Sequence, residues 1–141
     1  MALTRYLVDT SALVRLLRST EAGARWEEQI TAGLVAVCPV VELELLYTAR
    51  SKANRDELVE LLRTAFGWVA MPERVFDRGS EIQQALTAHG AHRSAGTVDL
   101  LIAATAQLSD LVLLHFDRDF DRVSDVTEQP TQWLAEPGSL P

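Results

Sequence analysis

Aspartates stand where apolar segments of this chain begin or end. "YLV" stops at Asp9, and "LVLLHF" stops at Asp117, with Asp119 and Asp121 following at alternate positions. Asp99 lies near the start of the apolar segment "TVDLLIAATAQL". Carboxylates packed together without a counter-charge raise one another's pKa values and destabilise the fold. Bound Mg2+ or Mn2+ removes that cost, because hard cations take oxygen ligands and keep water in the remaining positions. A metal held in this way activates water and steadies charge on a phosphate. An acidic cluster in a chain with three histidines and one cysteine therefore points to phosphodiester or phosphomonoester chemistry and away from zinc. A further carboxylate is expected from "VVELELLYTAR", which offers Glu42 and Glu44. Apolar residues surround both on a helical wheel, so geometry does not choose, yet a half-buried glutamate needs a partner.

The elements that must position these acids can be read from periodicity. "RYLV" (5 to 8) reads as a strand, followed by the helix "TSALVRLLRST", with Ser11 the expected N-cap and Leu13, Leu16 and Leu17 on one face. "EAGARWEEQI" continues as a second helix. "LVAVC" (34 to 38) reads as a strand, and Pro39 suits the first turn of the helix after it. "ANRDELVELLRTAF" is amphipathic, with Leu58, Leu61, Leu62 and Ala65 in register. "GWVAM" reads as a brief strand, "ERVFDRGSEIQQALTAHG" as a helix ending near Gly90, and "HRSAG" as a polar loop. "TVDLLIAATAQL", apolar nearly all round, predicts a buried helix in which Thr97 caps the turn that holds Asp99. "LVLLHF" is the last strong strand before a C-terminal strand and tail (124 to 141) with two late prolines, Pro137 and Pro141.

Strands alternating with helices imply an α/β/α sandwich, a parallel sheet covered by helices on both faces. Sites in such folds form beyond the carboxyl ends of the strands. That rule gives Asp9, Asp99 and Asp117 a common address. Each acid alone has an ordinary use: Asp9 as a helix cap, Asp99 as a dipole-serving residue, Asp117 and Asp119 as turn formers. Their convergence on one sheet edge is what carries function.

With 141 residues, the chain fits one domain able to bury a core without disulfides. An apolar fraction of 48% and a charged fraction of 23% are those of a soluble globular protein. The lone Cys38 reads as a buried, reduced thiol. No apolar run reaches the ~20 residues of a membrane span, and "MALTRYLVDTS" lacks a signal-peptide pattern, so a cytoplasmic location is expected. A net charge of -7 argues mildly against nucleic acid, although acids offset by metal count less. Twelve of the 13 basic residues are arginine, the better phosphate ligand. His89 and His92 read as exposed loop residues, and Trp26, Trp68 and Trp133 as core or interface anchors.

"YLVDTSALV", "PVVELELLYTAR", "TVDLLIAATA" and "LLHFDRDFDRV", in that order, resemble the PIN-domain family, and within it the VapC-type toxins of toxin–antitoxin pairs. The resemblance covers residues 5 to about 123 of a single PIN domain spanning 1 to 141. It implies that Asp9, Glu44, Asp99 and Asp117 hold one or two Mg2+ or Mn2+ ions, with Asp119 an auxiliary acid. Glu42 is left as a surface or packing residue and Asp121 as a solvated turn residue. Thr10 and Ser11 match the hydroxyl pair after the first aspartate and are expected to bind the substrate, and Arg93 is placed to meet RNA phosphate. The implied activity is endoribonuclease cleavage of structured RNA, tRNA or rRNA, leaving a 5′-phosphate and a 3′-hydroxyl. The implied partners are a VapB-type antitoxin in an apolar groove, expected at Leu13, Leu16, Leu17, Leu58, Leu61 and Leu62, and a second copy of the chain. The assembly with the antitoxin that the resemblance implies is a heterotetramer or larger. One departure stands out: His115 occupies a position where many relatives carry threonine or serine.

Three rivals are weighed beside this. Asp117, Asp119, Asp121 and Glu128 match EF-hand positions one, three, five and twelve, but Arg122 stands where the loop needs glycine. A haloacid-dehalogenase-type phosphatase would need a second aspartate at position 11, which is serine. A non-catalytic PIN-like binding module has no use for four intact acids.

Overall fold

The computed structural model describes residues 3–141. In chain order the elements are β1 (Tyr6–Val8), α1 (Thr10–Arg18), α2 (Thr20–Thr31), β2 (Val35–Val37), α3 (Pro39–Tyr47) and α4 (Lys52–Ala65). They continue as β3 (Gly67–Trp68), α5 (Val75–Ala88), α6 (Thr97–Leu108), β4 (Val112–His115), α7 (Asp119–Thr127) and β5 (Thr131–Trp133). The strands form one sheet in the order β3-β2-β1-β4-β5, and every neighbouring pair is parallel. A parallel sheet needs cover on both faces, and the expected α/β/α sandwich is what forms.

Strand composition follows from that burial. β1 and β2 are short runs of wholly buried side chains, as expected of strands covered on both faces. Leu7, Leu13, Leu113 and Leu114 are fully buried around the sheet centre, where truncation of one to alanine costs about 2–5 kcal/mol. Cys38 is a free, buried thiol at the end of β2, and burial pushes its pKa up. Trp26 is buried and donates to the Leu134 carbonyl at 2.8 Å, tying α2 to the C-terminal segment.

Several elements differ from the sequence-based expectation. Asp9, not Ser11, caps α1, because the chain is still extended at Asp9 and its carboxylate accepts from the Ala12 amide. Gly96 occupies the N-cap of α6 without a side-chain bond, so Thr97 is the first helical residue rather than the cap. α5 begins at Val75, two residues later than expected, and Gly90 turns the chain at φ +67 beyond its end. α7 was not anticipated: Phe120 and Val123, three apart, bury one face of a helix where the alternating aspartates read as a turn.

The order of strands fixes where a site forms. From β1 the chain winds outward through β2 to β3, then returns across β1 to add β4 and β5. The reversal point lies between β1 and β4, and crevices open beyond the carboxyl ends of strands at such points. Asp9 follows β1 directly and Asp117 follows β4 by two residues, and the Asp9 amide donates to the Leu114 carbonyl at 3.0 Å.

Candidate metal centre at the sheet switch point

Three carboxylates form the tightest acidic group among the described residues. Asp99, Asp117 and Asp119 each offer an oxygen, all within 4.8 Å of one another. Asp99 comes from the first turn of α6, Asp117 from the turn after β4, and Asp119 from the start of α7. The turn is held locally, since Asp117 Oδ1 accepts from the Asp119 amide at 2.9 Å. Asp119, expected as an auxiliary, thus stands with Asp99 and Asp117 in one cluster.

Asp9 and Glu44 lie outside that triplet, and the charge of Glu44 acts on Asp99 as that of Asp99 acts on Asp9. Asp9 is buried at 2% exposure, and burial pushes its pKa up to about 7, with Asp99 adding a smaller upward push against the amides and hydroxyl that hold the carboxylate. Burial likewise raises Asp99 to about 6, followed by the charge of Asp117; Glu44 and Asp119 add less, and the Gly96 amide opposes. Burial and then Asp117 raise Asp119. No ion pair among the described residues includes any of these five acids. Hard oxygen donors that crowd one another and lack a cation are what a divalent ion would satisfy.

The two hydroxyls after Asp9 brace carboxylates. Ser11 Oγ lies 2.8 Å from both Asp9 oxygens and accepts from the Phe116 amide at 3.0 Å, so it ties the end of β4 to the Asp9 carboxylate. Thr10 Oγ1 donates to Glu44 Oε1, linking α1 to α3. Sequence reasoning gave both hydroxyls to the substrate and did not see these ties, because a bond spanning 34 residues leaves no local signal. Glu42 faces elsewhere and pairs with Arg63 of α4 at 2.7 Å. The two glutamates that the helical wheel left equivalent are thus separated by what they touch.

Other expected residues sort clearly. Arg93 is exposed in the loop before α6. His89 and His92 are exposed. Asp121 lies in the first turn of α7 rather than in a loop and accepts from Trp133 Nε1 at 3.2 Å. Because Asp119 and Asp121 are helical, no EF-hand loop exists here. His115 is fully buried, and burial pushes its imidazole below the ordinary range, against the opposite pulls of Asp121 and Asp117.

Of the leucines expected in a partner groove, Leu13, Leu16 and Leu62 belong to the core. Helical periodicity turns them toward the sheet and leaves the next stripe free. Leu17, Leu58 and Leu61 do line a groove between α1 and α4, joined by Val14 and Leu45. Arg18 and Arg50 also line it.

The PIN domain family model matches residues 6–126. The chain belongs to the PIN-domain family. Ribonuclease VapC21 of Mycobacterium tuberculosis is 39% identical to this PIN domain over 136 residues, covering 96% of this chain and 98% of that protein. Ribonuclease VapC2 of the same species is 40% identical over 131 residues, covering 92% of each. Among solved structures, VapBC2 from Rickettsia felis, bound to a promoter DNA fragment, aligns with a TM-score of 0.77 at 17% identity, covering 92% of this chain and 98% of that one. VapBC-1 from nontypeable Haemophilus influenzae aligns at 0.75 and 20%, covering 93% and 98%. At those identities the structural likeness speaks for the PIN fold, and the VapC relatives speak for the branch of the family. No helix among the described residues is long and apolar enough to cross a membrane.

Proposed function

We propose that this VapC-type PIN ribonuclease, the toxin of a toxin–antitoxin pair, cleaves phosphodiester bonds in structured RNA, tRNA or rRNA, with Mg2+ or Mn2+ held at the sheet switch point. The observation that carries this is the approach of Asp99, Asp117 and Asp119 within 4.8 Å without a basic partner. Asp99, Asp117 and Asp9 would hold the ion, with Glu44 and Asp119 completing the acidic shell. When bound, the ion supplies water activation and positive charge for hydrolysis of the phosphodiester.

The chain's own residues do the positioning. Ser11 orients the Asp9 carboxylate and Thr10 orients Glu44. Arg93, at the mouth of the loop before α6, meets RNA phosphate, as arginine suits. The products carry a 5′-phosphate and a 3′-hydroxyl. The single PIN domain acts in the cytoplasm as a homodimer and in a heterotetramer or larger assembly with a VapB-type antitoxin. The antitoxin's apolar segment lies along Val14, Leu17, Leu45, Leu58 and Leu61. RNA-end mapping after induction in cells tests the activity: new 5′-phosphate ends at discrete tRNA or rRNA positions support it. Unchanged RNA ends with arrested growth would refute it.

A further inference from the structure

When the chain leaves the sheet at the end of β4, its amides lose their strand partners and must be satisfied elsewhere. Side chains do this one after another. The Phe116 amide donates to Ser11 Oγ at 3.0 Å, the Asp117 amide to His115 Nδ1 at 3.2 Å, and the Asp119 amide to Asp117 Oδ1 at 2.9 Å. His115 is the member of this series that the proposed chemistry leaves unused.

The cost of the histidine is visible. Accepting at Nδ1 places the ring proton on Nε2. Nε2 is buried with no hydrogen-bond partner among the described residues, and such an orphan is destabilising. The ring lies against Phe120 and Trp133, with centroids 5.3 and 4.9 Å away, an environment a leucine would fill without that cost. What leucine lacks is an acceptor for the Asp117 amide.

We infer that His115 is a positioning residue for the metal centre: Nδ1 pins the Asp117 amide so that the 117–119 turn presents both of its carboxylates to Asp99. The inference rests on the assignment of Asp117 and Asp119 to the metal.

Mn2+ binding by isothermal titration calorimetry, with thermal unfolding of every variant, tests this. His115→Leu and His115→Gln lack an acceptor at the Nδ1 position and are expected to weaken Mn2+ by roughly 10- to 100-fold. His115→Asn places its Oδ1 near the Nδ1 position and retains most of the affinity. If His115→Leu destabilises the fold, the Asn and Gln pair, alike in polarity and differing in reach, still decides. Leu and Gln variants that bind Mn2+ like the wild type overturn the inference, as does an Asn variant as weak as the Gln variant. A wild type that binds no Mn2+, or an Asp117→Asn variant that binds undiminished, overturns the metal assignment itself and the inference with it.

Discussion

Replacing Asp9 by asparagine should separate the stability of the protein from its activity in a pH-dependent way. Asp9 is buried, and its folded-state pKa stands at about 7 against an ordinary 3.8. Because the folded pKa is the higher one, the native state binds more protons than the unfolded chain between pH 4 and 7. Stability without metal therefore falls as pH rises through that window. A shift of about three units corresponds to ~4 kcal/mol at 1.36 kcal/mol per unit, an upper limit because relaxation around the charged form relieves part of it. Asparagine keeps an oxygen for the Ala12 amide, accepted now by Asp9 Oδ1 at 2.9 Å, and carries no charge to desolvate. With metal removed by chelator, Asp9→Asn should match the wild type near pH 4 and unfold roughly 5–10 °C higher at pH 8. Circular dichroism melts at half-unit pH steps measure this. A difference in Tm that does not change with pH, or a variant less stable at pH 8, would refute the claim that burial of this charge strains the metal-free fold.

Other consequences follow from named contacts. Thr10→Val removes the hydroxyl that holds Glu44; kcat/KM for RNA cleavage should fall about tenfold with little change in Tm, and unchanged kinetics would show that Glu44 needs no brace. Glu42→Gln breaks the pair with Arg63 and should cost about 1 kcal/mol, since the arginine is half exposed, while cleavage stays at the wild-type rate. A loss of cleavage in that variant would reassign the catalytic glutamate. Leu61→Asp places a charge in the groove between α1 and α4 and should weaken antitoxin binding by tenfold or more, several apolar contacts being lost; unaltered affinity by calorimetry would move the partner surface elsewhere.

The sheet and the address of the acids were legible because their signals are local. Apolar runs that stop at Asp9 and Asp117, with a buried helix opening at Asp99, need only strand and helix periods to be read. α7 was missed because three alternating aspartates resemble a turn, while the Phe120 and Val123 spacing that marks a helix covers one turn only. The choice between Glu42 and Glu44 depended on partners 21 and 34 residues away, Arg63 and Thr10. Three of the six leucines expected along a groove, Leu17, Leu58 and Leu61, line one and the others are core, since period alone does not say which stripe of an amphipathic helix faces the sheet. His115 looked anomalous in sequence because its partner is a backbone amide, which no residue type reveals.

The central claim is that the acids of the switch point hold a divalent ion for RNA hydrolysis. Asp99 stands at the centre of that network, coupled to Asp9, Glu44, Asp117 and Asp119. Cleavage of a tRNA pool by wild type and Asp99→Asn, with Mn2+ and with excess chelator, measures it most directly. Loss of metal stabilisation worth several kcal/mol predicts a rate lower by roughly 1,000-fold or more both in the variant and in the chelated wild type. Cleavage at the wild-type rate in either would contradict the account.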